Sequence, residues 1–134
     1  MAAEAEIVRG IYEAFNRSDL PAAWSLMAPG VTFAEPSPRM PCTGFHSGPG
    51  SVTGAAFRHE PELWEDFRAI PEALLCTGES VVVLGLFRGV GRETGEPLCA
   101  PFVHECFLCG GRVARIQSYP ATAAAMRRPT GPSG

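Results

Sequence analysis

The chain has 134 residues, with 11 basic and 14 acidic side chains and a formal net charge of -3. That is one domain, long enough to bury a core, and its scattered charges offer no cationic stripe to a nucleic-acid backbone. The longest apolar run, Val81 to Leu86, is far short of a membrane span, and "MAAEAEIVRG" is acidic where a signal peptide carries a basic and then an apolar region, so a cytoplasmic protein with no membrane partner is expected.

Glu4 to Asn16 carries apolar residues at 7, 8, 11, 14 and 15, which is helical spacing, and "NRSD" ends it with side chains that favour caps and turns. Asp19 suits the N-cap of a second helix, with Pro21 in its first turn and Leu20, Trp24 and Met27 on its apolar side until "APG" stops it. Residues 31 to 35 alternate as a half-buried strand, with Val31 and Phe33 on one side, and the period carries Glu35 to that same side. Three prolines between positions 36 and 41 prevent regular structure, after which Ser51 is a candidate cap for a short third helix through Phe57. The remainder reads as sheet: "LWEDFRAIPEALL" with a break at Pro71, "ESVVVLGLFRGV", "EPLCAPFVHECFL" and "GRVARIQSYP", joined by "CTGES", "GRETGEP" and "CGG". Helices first and a meander of long strands afterwards describe an α+β domain with helices packed on one face of an antiparallel sheet. The tail, "RRPTGPSG", is expected to be disordered.

Cys42, Cys76, Cys99, Cys106 and Cys109 are an odd number without the framework of a disulfide scaffold, so reduced thiols are expected. Cys106 and Cys109 form a C-x-x-C, but no second pair stands at zinc-finger distance. "HECFLCGGR" reads as a strand entering a Gly-Gly turn, whereas a redox dithiol needs a helix start, so buried packing cysteines are expected. No set of histidines and carboxylates has ligand spacing, no glycine-rich loop opens a helix and no G-x-S-x-G presents a serine. Neither a metal nor an organic cofactor is expected.

The order of elements, with "IYEAFNRSDLPAAWSLMAPGVTFAEP", "GFHSGPGSV", a Val-rich strand, "ETGEPLCAPFVHECF" and "GGRVARIQSYPATAAAM", resembles the SnoaL-like polyketide cyclases and ketosteroid isomerases of the nuclear transport factor 2-like superfamily. The likeness runs from about residue 5 to 126. It implies a cone over residues 1–126, in which a strongly curved sheet wraps about three helices and leaves a deep pocket open at one end, and residues 127–134 lie outside it. It also implies a homodimer through the outer sheet face, where Trp64, Arg115, Gln117 and Tyr119 fall. That fold serves isomerases, cyclases, dehydratases, epoxide hydrolases and non-enzymatic binding proteins.

Carried over residue by residue, "VTFAEP" resembles the isomerase segment in which an aspartate just before a proline moves a proton between carbons. Glu35 holds that place, one methylene longer. The isomerases' oxyanion tyrosine on the first helix corresponds to Ile11, with Tyr12 displaced by one, and their late-strand aspartate falls near Ala100. The acid/base residue of the cyclases, in the last strand, falls on Pro120 or Ala121. A site must therefore be built from other groups.

Period two puts Ala100, Phe102, His104 and Cys106 on one face of their strand, and with Ala100 in the acid's place that face lines the pocket. Glu35 is then the candidate base and His104 its partner, orienting a substrate oxygen or shuttling the proton. Phe33, Phe57, Phe102 and Trp24 are the candidate walls, and Tyr12, Cys106 and Ile116 complete the substrate-binding surface. Plainer alternatives stand beside these roles. Glu35 caps the proline-rich loop or pairs with Arg39, His104 is a core histidine bonded to a neighbouring strand, and Tyr12 is packing. His46 and His59 are expected in solvent. The function implied is proton transfer on a small hydrophobic, carbonyl-bearing, polyketide-like substrate by an isomerase, cyclase or dehydratase; the alternative is a cone that binds a small molecule or a partner without turnover.

Overall fold

Helix α1 (Ala2–Asn16) buries Val8, Ile11, Tyr12, Ala14 and Phe15 along one face, the stripe its sequence spacing requires. The computed structural model describes residues 2–35, 44–57 and 61–119. Arg39, Cys42, His59, Pro120, Ala121, the tail from residue 127 and the side chain of Glu35 lie outside the described residues. Helix α2 (Leu20–Ser25) starts as its sequence demands, with Asp19 Oδ1 accepting the Ala22 N–H at 3.3 Å. It ends earlier than expected. Leu26 O accepts the Val113 N–H at 2.9 Å, which draws the chain into the sheet, and Met27 opens strand β1 (Met27–Glu35) instead of prolonging the helix. The expected stop at "APG" is instead an irregularity of register between Met27 and Thr32, where Pro29 has no N–H to give.

A short strand β2 (Gly44–Ser47) pairs back on β1, and helix α3 (Pro49–Ala56) follows. Ser51 is inside α3 and does not cap it. The cap is Gly48 at φ 94, a conformation open to a residue without Cβ, and Pro49 supplies the fixed φ of the first turn. Four long strands complete the chain: β3 (Trp64–Cys76), β4 (Ser80–Gly91), β5 (Pro97–Cys109) and β6 (Arg112–Tyr119). Pro71 does not break β3. The register shifts between Pro71 and Ala73 and the strand runs on, because β3 is an edge strand where a missing N–H is tolerated.

The six strands form one curved, unclosed sheet in the order β2-β1-β6-β5-β4-β3. All neighbours are antiparallel except β1 and β6, which run parallel, so the expected all-antiparallel sheet holds for four of its five pairings. The helices cover one face, α1 against β3 and reaching β4 and β6, α3 against β1 and β2. Asn16, at the end of α1, fastens the edge. Its Nδ2–H donates to Ala69 O and its Oδ1 accepts the Ala69 N–H, both at 2.9 Å, which occupies backbone groups of β3 that no further strand takes.

Alternation decides what the concave face carries. In β4, Val81, Val83, Gly85 and Phe87 are buried while Val82, Leu84 and Leu86 are only half so; in β5, Phe102, His104 and Cys106 are buried. Cys109, three residues beyond Cys106, falls outside that alternation and is exposed before a turn whose Gly110 and Gly111 have φ 62 and 81. The expectation of buried packing cysteines in the C-x-x-C thus holds for Cys106 and fails for Cys109; Cys76 and Cys99 are exposed as well.

A buried Tyr-His pair in an aromatic cage as the candidate functional site

Register stacks the concave face in rows across the sheet. One row runs Phe33, Ile116, Cys106, Val81; the next runs Ser118, His104, Val83; then come Phe102 opposite Gly85, and Ala100 opposite Phe87. Phe33, Phe102, Cys106 and Ile116 are all buried. His104 is 1% exposed, and its Nδ1 lies 2.7 Å from the hydroxyl of Tyr12 on α1. Its hydrogen-bond partner is therefore a helix side chain, not the neighbouring strand of the plainer sequence reading.

Aromatic rings close around the pair. The Phe102 ring stacks on His104 at 4.6 Å and on Tyr12 at 5.7 Å, Phe57 meets Tyr12 edge-on at 5.0 Å, and Phe33 meets His104 edge-on at 6.1 Å. Gly85 makes room for this arrangement. A Cβ there would overlap both the Phe102 ring and the Ile70 carbonyl oxygen.

Such a cage penalises charge. Burial pushes the His104 imidazole down to about 3 and the Cys106 thiol up to about 12, and it raises Tyr12 well above its ordinary value, with the neighbouring Cys106 adding to the rise. All three groups are uncharged at neutral pH. The site therefore holds a neutral imidazole and an unreactive thiol, and the imidazolium form of His104 has no place in it.

Burying a neutral histidine has a consequence for stability. The unfolded chain protonates His104 near the ordinary histidine value of 6.5, while the folded chain resists protonation down to about 3, so acid favours unfolding across that interval. The unfolding free energy is expected to fall by about 1.4 kcal/mol per pH unit as pH drops from about 6 to 4.5. Urea titrations at stepped pH check this, and His104→Gln should flatten the slope. Glu105, on the opposite face, adds to the loss only at lower pH. Hydrogen bonds from Ser80 Oγ at 2.6 Å and Tyr119 Oη at 2.7 Å hold its carboxylate below the ordinary 4.5.

Of the residues singled out by sequence, the fold brings together Tyr12, Phe33, Phe57, Phe102, His104, Cys106 and Ile116. Trp24 stands apart, 36% exposed, with its indole N–H donating to Thr53 Oγ1 at 2.9 Å. Glu35 closes β1 opposite Gly44. His46 is half-buried and reaches Ser51 Oγ at 3.3 Å, where solvent was expected. A groove of about 270 Å³ opens elsewhere, between the end of α1 and the start of β3, past Asn16, Trp64, Asp66 and Arg92. Among the described residues no three His, Cys, Asp or Glu side chains gather as metal ligands, and no helix is long and apolar enough to cross a membrane.

An open curved sheet around helices, with an aromatic-lined concave face, defines a protein of the NTF2-like class. Solved structures agree. An NTF2-like protein of unknown function from Burkholderia pseudomallei is 30% identical over 95% of this chain and 97% of its own, with a TM-score of 0.74. TerC, crystallised with polyporic acid, is 22% identical over 93% and 96%, with a TM-score of 0.73. A protein from Xanthomonas campestris proposed to be a polyketide cyclase is 18% identical over 90% and 91%, with a TM-score of 0.73; at those identities the last two attest the fold alone. The family model of the SnoaL-like domain matches residues 8–116, and the chain belongs to that family. No curated protein matches the chain.

Proposed function

We propose that the chain is an enzyme that moves a proton on a small, apolar, carbonyl-bearing substrate of polyketide type, as an isomerase, cyclase or dehydratase, with Glu35 as base and His104 as hydrogen-bond donor to the carbonyl oxygen. The observation that carries this reading is the row in which His104 sits. β1 and β6 pair as far as Ala34 and Gln117; continued by one rung in the same register, Glu35 would lie beside Ser118, which pairs with His104. The backbones of Glu35 and His104 would then be two strand spacings apart, roughly 10 Å, which suits two side chains reaching toward one small ligand. A neutral imidazole is a fit donor there, because it stabilises an enolate oxygen without first competing for the base's charge.

In the step proposed, the Glu35 carboxylate takes a proton from the carbon next to the carbonyl, and the electron pair moves onto an oxygen held by the imidazole N–H. Return of the proton to another carbon gives isomerisation; attack of the carbanion on a second carbonyl gives ring closure. Incubating the protein with enolisable cyclic ketones in deuterium oxide tests this, with deuterium expected at the acidic carbon. A second reading has its own support, since the position of the family's late-strand acid is filled by half-buried Ala100. Tight ketone binding with no deuterium incorporated would favour that binding cone over the enzyme. The homodimer that the resemblance implies would use the convex face carrying Val103, Phe107 and Arg115, and light scattering counts the protomers.

A further inference from the structure

The contact between Tyr12 and His104 admits two proton arrangements. Either the phenol donates to Nδ1, or Nδ1–H donates to the phenol oxygen and the hydroxyl proton turns toward the thiol of Cys106, its neighbour. The separation of 2.7 Å is typical of an O–H donor and short for an N–H donor. The second arrangement also gives the hydroxyl proton a thiol sulfur, a weak acceptor, while the first gives it an imidazole nitrogen, a good one. Both considerations select the first.

We infer that Tyr12 donates its hydroxyl proton to Nδ1 of His104 and thereby fixes the imidazole as the Nε2–H tautomer, which makes Tyr12 a positioning residue. For its use in catalysis this rests on the proposed acid-base reading; the tautomer itself does not. The surroundings leave no rival for Nδ1. Phe33 from β1, Phe57 at the C-cap of α3, and Phe87 and Phe102 from β4 and β5 face the ring, and among the described side chains the titratable groups near it are Tyr12 and Cys106. Among the described residues only Tyr12 hydrogen-bonds His104. Nε2–H is thus the ring's remaining donor, and in the proposed acid-base reading it is the one a ligand oxygen would meet. The same chain with phenylalanine at position 12 would let the proton settle on either nitrogen, and every imidazole protonated on Nδ1 would then meet a substrate carbonyl with a lone pair. The tyrosine one residue away from the family's oxyanion position therefore acts through the histidine, without touching the ligand.

Nitrogen NMR of the full chain labelled with 15N-histidine tests this, with the His104 resonances assigned by their loss in His104→Gln. At pH 7 the wild type is expected to show an unprotonated Nδ1 and a protonated Nε2, and Tyr12→Phe to move the Nδ1 resonance toward that of an acceptor without a donor. A proton on Nδ1 in the wild type, an imidazolium, or His104 resonances unchanged by Tyr12→Phe would overturn it. Should Tyr12→Phe not fold, the wild-type spectrum alone distinguishes the two arrangements. The spectrum is read in the resting protein. An Nε2–H tautomer in a protein that exchanges no ketone proton still supports the inference while counting against the enzyme reading.

Discussion

Glu35→Gln is expected to lower the rate of α-proton exchange by a factor of about 10² to 10⁴, the usual worth of a positioned general base, while leaving ketone affinity near that of the wild type. The two parts belong together. Glutamine keeps the length and polarity of the side chain and removes its ability to take a proton, so binding should survive and the chemical step should not. Isotope exchange monitored by NMR gives the rate, and calorimetric titration of the same ketone gives the affinity. Equal loss of both would mean that Glu35 shapes the cavity or its rim. An unchanged rate would remove it from the chemistry.

The largest effect on stability is expected from Phe102→Ala, about 3–5 kcal/mol. Phe102 is buried, packs on His104 and on Phe87 at 4.6 Å each, and its ring covers Gly85 on the neighbouring strand. Truncation leaves a void that the sheet cannot close, since the rows on either side are set by backbone register. It also removes the ring that most closely walls the Tyr12–His104 pair, so water enters beside a group kept neutral by dryness. Urea unfolding measures the loss. The strain of Gly85→Ala should be smaller in the Phe102→Ala background, though not absent, because the Ile70 carbonyl oxygen still meets the new Cβ. A loss below about 1 kcal/mol for Phe102→Ala would show that the aromatic cage is not part of the core.

Much of the fold was legible because its signals are local. The stripe of α1, the Asp19 cap, the strands from β3 to β6 and their turns follow from spacing and from residues that favour caps and turns. What failed to show was set by partners distant in sequence. Met27 reads as the end of a helix until β6 arrives to pair with Leu26, and Pro71 reads as a break until β3 proves to be an edge. β2 is four residues beside a proline-rich stretch and carries no period of its own. At the site, alternation along β5 placed Phe102, His104 and Cys106 together correctly, but no local pattern could join His104 to a tyrosine 92 residues earlier. The available hint was Tyr12 lying within the buried stripe of α1, since a phenol in a core requires a partner.

A crystal structure with an enolisable cyclic ketone inside the cone decides whether Glu35 and His104 work on one substrate. The carbonyl oxygen is expected about 3 Å from Nε2 of His104, with the acidic carbon within similar reach of the Glu35 carboxylate. A ketone lodged elsewhere, or a carboxylate turned away from the row that holds His104, contradicts the shared site.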